Sequence, residues 1–138
     1  MTPDKLLAVY KSVIRPTADY CSVVYNSLIP KYISDSLEAA QRHALRIIYG
    51  RDADINQIME NKDIETLLKR REKKSLEFAI KAASSERFGK RWFVKNTAER
   101  PARDTTRKKY IEKFTRSERG RNNPILHMTR LLNEHERP

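Results

Sequence analysis

Asp52 and Asp54 are separated by one residue, a spacing at which two carboxylates could hold a divalent cation for phosphoryl transfer. They also follow Gly50 and precede an apolar helical run. At such a place aspartates cap orphan backbone donors and meet the positive end of a helix dipole, and capping is the expectation. His43, His127 and His135 are scattered and form no metal-spaced set with Cys, Asp or Glu, so they read as surface or interfacial histidines. Cys21 is the only cysteine, which excludes an internal disulfide and a cysteine-based zinc cluster. Its apolar neighbours predict a buried free thiol in a reducing compartment. The chain has no GxxxxGK, no GxGxxG and no nucleophile-elbow pattern. The sequence therefore points to no catalytic residue, no metal and no cofactor.

Cations interleaved with aromatic rings give the clearest chemical signal. Net charge is +11, and it is uneven: residues 1–40 carry four basic and four acidic side chains, whereas 87–121 carry 13 and four. Such an excess attracts polyanions. Lysine and arginine neutralise phosphates and release counterions, and exposed rings stack on unpaired bases at about 1–3 kcal/mol each. Within 85–121 the rings are Phe88, Trp92, Phe93, Tyr110 and Phe114. Trp92 and Phe93 are adjacent and read first as a plug between a helix end and a core. Tyr110 and Phe114 are four apart and share a face if that region is helical. Lys69, Arg70, Arg71, Lys73 and Lys74 place five cations within six residues, which repel unless something anionic lies nearby.

The elements that must position these groups are helices. Only three glycines occur, and strand-type alternation is scarce. The apolar share is 38% and the charged share 34%, against about 45–50% and about 25% in average soluble domains, so a small core carries a large solvated surface. Apolar spacing predicts a first helix over 3–26, capped by Thr2 and kinked near Arg15 by Pro16. A second helix spans 30–49 and ends at Gly50. A short one covers 54–60, and a long one, N-capped by Asp63, covers 64–84. After a linker at 96–108, residues 125–133 form a short amphipathic helix. The predicted fold is all-α: a small helical bundle over 1–84 and a basic, partly irregular C-terminal extension over 85–138. No signal peptide is visible, and no apolar run approaches the roughly 18 residues of a membrane span. An intracellular protein, cytoplasmic or nuclear, is expected, with no membrane partner.

Four blocks in order resemble the segment following the palm in LINE-type non-LTR retrotransposon reverse transcriptases of the jockey-like and related clades. The first contains Leu6, Tyr10, Ile14, Arg15, Pro16 and Tyr20, with Tyr25 where the family usually has tryptophan. The second contains Leu37, Gln41, Arg42, Ala44, Arg46, Ile48 and Gly50. The third contains Leu67, Arg70, Arg71, Phe78 and Lys81, and the last Arg116, Arg119, Pro124, Ile125, Leu131, Leu132 and Asn133. The resemblance implies a thumb-like bundle and tail that grip the template–product backbone for an RNA-directed DNA polymerase. The family's Y-x-D-D carboxylates do not occur here, so the resemblance implies no polymerase activity for this chain alone. It suggests a truncated copy, a piece of a degraded element or an excised part.

The expected partner is an RNA or DNA backbone, bound without sequence preference through Arg42, Arg46, Lys69, Arg70, Arg71, Arg91, Lys108, Lys109, Arg116 and Arg119. Leu37, Ile48, Leu68, Leu76 and Ile80 would build the core that positions them. The alternatives are a helical protein-interaction module, whose apolar face over 6–25 meets a polymerase palm or a second copy of the chain, and a relic of a retroelement without function.

Overall fold

The computed structural model describes residues 2–96 and 108–136. Among them the fold is all-α. The helices are α1 (Pro3–Val9), α2 (Arg15–Asp19), α3 (Ser22–Tyr25), α4 (Lys31–Tyr49), α5 (Ile55–Asn61), α6 (Leu67–Ser84), α7 (Gly89–Trp92), α8 (Glu118–Arg121) and α9 (Pro124–His135), with a π-helical turn over Tyr10–Ile14. Of the expected linker at 96–108, residues 97–107 lie outside the described residues. The chain divides into two compact units. The first is Met1–Ser22 with Ile29–Glu72, and the second is Val23–Leu28 with Lys73–Pro138. The boundary therefore falls inside α6 and not after residue 84.

In the first unit, Pro16 explains the opening turn. Proline lacks the amide that would bond to Ser12 and crowds that carbonyl. The helix widens before it, and the Arg15 amide reaches back to Tyr10. Widening by one residue brings Tyr10 and Arg15 inward together; they are 4% and 6% exposed. The helix then breaks, because Tyr20 is extended and Cys21 sits at φ 53°. The continuous helix to residue 26 is thus corrected, and so is the buried thiol: Cys21 is exposed. Thr2 makes no side-chain cap; its carbonyl accepts from Lys5 and Leu6.

Leu7, Tyr10, Leu45, Ile55 and Ile64 form the core of this unit. Around it runs a polar network. The Tyr10 hydroxyl donates to Gln41 Oε1 at 3.0 Å. Gln41 Nε2 and Arg15 Nη2 both donate to the Glu65 carbonyl, at 3.1 and 2.9 Å. Burial raises the Tyr10 pKa above its ordinary value, with Arg15 partly offsetting it. Asp54 caps α5 as expected, its Oδ1 accepting from Asn56 and Gln57. Gly50 ends α4 at φ 105°, a conformation that suits glycine. Asp63 does not cap the long helix. It sits at φ 48°, and the orphan amides of Leu67 and Leu68 are taken by the Glu38 carboxylate from α4.

In the second unit, Ala79, Ala82, Phe93, Tyr110, Met128 and Leu132 form the core, with Val23 packed against it. Gly89 is required where the chain turns back. A Cβ there would meet the Ala83 carbonyl oxygen at 2.4 Å. Residues 108–116 are not helical, and Tyr110 makes an isolated antiparallel bridge with Lys95. They are held on one side by paired backbone bonds, Asn96 to Lys109 and Ile111 to Val94, both 2.8 Å. On the other side the Asn133 side chain from α9 copies a strand partner. It accepts from the Tyr110 amide at 2.9 Å and donates to the Tyr110 carbonyl at 3.1 Å. Tyr110 is therefore buried and Phe114 is 88% exposed, so the two do not share one docking seam.

Candidate nucleic-acid interface

Two of the five cations clustered on α6 are accounted for by burial and pairing. Arg71 is fully buried in the first unit, where Nη2 donates to Ser34 Oγ at 2.7 Å. Arg70 pairs through Nε with the buried carboxylate of Asp19. Arg71 is thus an interior residue and not a strand contact, and Arg70 is committed to an internal partner. The expected core is corrected in the same way. Leu68 and Ile80 are 44% and 40% exposed, while Leu67, Arg71, Ser75, Ala79 and Ala82 are buried. Leu37, Ile48 and Leu76 are half-buried. Arg42, Arg46 and Lys69 are exposed on the first unit, the two arginines one turn apart on α4.

The second unit holds Arg91, Lys108, Lys109, Arg116 and Arg119, all exposed. Lys108 pairs with Glu112 at 3.0 Å and Lys109 pairs with Glu136, so these two are already neutralised. The hydrogen bond to Glu136 raises the Lys109 pKa above its ordinary value. Arg119 lines neither of the clefts described next, whereas Arg91 and Arg116 do, with company that the sequence reading missed. One open cleft of about 510 Å³ is lined by Arg91, Trp92, Ile111, Lys113 and Ile125, among others. A second of about 440 Å³ is lined by Lys113, Phe114, Arg116, Arg121 and Arg130. Lys113, Thr115 and Leu126 line both, so the clefts adjoin.

Local sequence sets this surface. Ser117 caps α8 by accepting from the Gly120 amide at 3.1 Å, which fixes the turn bearing Arg119 and Arg121. Asn123 caps α9 by accepting from the Ile125 amide at 2.9 Å, with Pro124 at the first helical position. Arg130 follows Leu126 by one helical turn and lines the same cleft, a spacing legible in the sequence. Lys113, Arg116 and Arg121 are exposed, and among the described residues no salt bridge engages them. Trp92 is half-buried, its ring 4.6 Å from that of Phe88, and Phe93 anchors in the core against Tyr110.

Glu112 is the acidic residue on the second cleft. Burial pushes its pKa up, but hydrogen bonds from Lys108 and Asn133 and the charges of Lys108 and Arg130 outweigh it, and the pKa ends lower than its ordinary value. The ionised link therefore stabilises the fold fully above the usual carboxylate range and is lost as pH falls through the depressed pKa. Thermal melts should show this as an acid limb that Glu112→Gln flattens. An identical limb in the variant would assign the effect to other groups.

Among the described residues no group of His, Cys, Asp or Glu is arranged to hold a metal ion. No described helix is long and apolar enough to cross a membrane. The chain matches no protein-family model, no curated protein and no solved structure.

Proposed function

We propose that this chain is a nucleic-acid-holding module, the thumb and tail part of a LINE-type reverse transcriptase. In this reading it grips the sugar–phosphate backbone of RNA or DNA without sequence preference and leaves bond-making to another segment. The observation that carries it is the pair of adjoining clefts on the second unit, walled by Lys113, Arg116, Arg121 and Arg130 around an almost fully exposed Phe114. A cluster of cations without salt-bridge partners is electrostatically unfavourable until a polyanion arrives. The family part of the reading rests on the four ordered sequence blocks; the binding part rests on the cleft.

Binding should fall steeply with salt. If four phosphates are neutralised, affinity for an RNA–DNA hybrid drops roughly 100-fold between 50 and 200 mM salt. Fluorescence anisotropy at the two salt concentrations measures this, and salt-independent or absent binding contradicts the proposal.

A second reading has its own support. On the first unit Val13, Ile14 and Tyr20 are 63%, 56% and 77% exposed, an apolar surface of the kind that joins proteins. A dimer in light scattering that is indifferent to nucleic acid would favour this reading over the first.

A further inference from the structure

We infer that the cleft beside Trp92 receives one unpaired nucleobase, so that the second unit prefers a single strand or a splayed nucleotide to a continuous duplex. This rests on the nucleic-acid reading above and narrows it to a ligand class. The cleft is about 510 Å³, within the roughly 300–1,000 Å³ of ordinary small-molecule sites. One wall is Trp92, and Ile111 and Ile125 add apolar surface. The Phe88 ring lies 4.6 Å from that of Trp92, tilted by 31°, and does not line the cleft. Trp92 is thus half-buried beside a second ring and also borders the cleft.

Arg91 and Lys113 lie on the same cleft. An open cleft with one indole wall, two isoleucines and cations beside it matches a base attached to its phosphate, because the ring stacks while the phosphate is neutralised. A purely apolar side chain would leave both cations unanswered. Lys113 also lines the neighbouring cleft with Arg116 and Arg121, so the adjoining phosphate of the same strand has a place to go. Stacking is tolerant of base identity, since every base presents a π face.

Trp92 is the only tryptophan in the chain, so the full chain reports directly on its own cleft. Intrinsic fluorescence is followed while short oligothymidylate, an abasic strand of equal length, the corresponding duplex, or a polyglutamate peptide is added; anisotropy gives each affinity. The expected result is quenching by oligothymidylate only. The abasic strand should still bind, about 5- to 150-fold more weakly for one lost stack, and without quenching. Equal affinity of the abasic strand and oligothymidylate, with no quenching by either, removes the base from the cleft and leaves backbone binding standing. Quenching by polyglutamate equal to that by oligothymidylate assigns the cleft to acidic protein and overturns the inference. Absence of binding by every strand overturns the inference together with the reading it rests on.

Discussion

Arg71→Ala is expected to lower the stability of the chain by about 3–5 kcal/mol, the range for emptying a large fully buried site. The side chain is 0% exposed and its guanidinium donates to the Ser34 hydroxyl at 2.7 Å. Truncation removes packing and leaves Ser34 without that donor. Natural domains of this size are stable by only about 5–15 kcal/mol, so the loss is a large fraction of the whole. Arg71→Met, which keeps most of the volume, should recover the packing part of the loss but not the hydrogen bond to Ser34. Urea denaturation of the three proteins measures the difference. The salt dependence of nucleic-acid binding by folded Arg71→Met should be unchanged. Unaltered stability with weakened binding would return Arg71 to the surface and contradict the buried placement.

Arg71 also shows where sequence reasoning stops. The all-α fold was legible because apolar residues recur at helical spacing, and α4, α5 and α9 lie close to their expected places. A disturbance near Arg15 was legible because proline has a local steric consequence, but it takes the form of a π-helical turn before Arg15, and the break comes later, at Cys21. Asp54 was read correctly as a cap because its partners are two and three residues away. Asp63 was misread by the same local rule. The amides at the start of α6 are taken by Glu38, 29 positions from Leu67, and nothing local announces such a partner. The break at Cys21 carries neither glycine nor proline as a signal. On α6 the apolar pattern offered Leu67 and Ala79, which are buried, together with Leu68 and Ile80, which are exposed, and it passed over Arg71, Ser75 and Ala82, which complete the buried line. Burial of a cation depends on what faces it in the fold, and Ser34 is 37 positions away.

The surface was legible only in part, for a related reason. Charge counting located the basic stretch, and Arg91, Arg116 and Arg119 were named from it. Counting does not separate cations already paired, as Lys108 and Lys109 are with Glu112 and Glu136, from those without a salt bridge. Lys113, Arg121 and Arg130 emerge as a set only once the non-helical 108–116 segment is laid against α9 by Asn133.

Replacing Lys113, Arg116 and Arg121 together by alanine should weaken nucleic-acid binding roughly 100-fold at 0.15 M salt, the counterion-release effect of three phosphate contacts. All three are exposed, so folding should be preserved, since surface substitutions of this kind usually change stability by less than about 0.5 kcal/mol each. The same substitutions should leave the apolar surface of the first unit untouched, which separates strand binding from self-association. The number of neutralised phosphates is read from the salt slope.

The decisive measurement is therefore the slope of log affinity against log salt for the native chain and the triple-alanine protein on the same RNA–DNA hybrid. A slope shallower by about three in the variant is expected, one unit for each lost phosphate contact. Equal slopes would mean that the adjoining clefts of the second unit do not hold the strand.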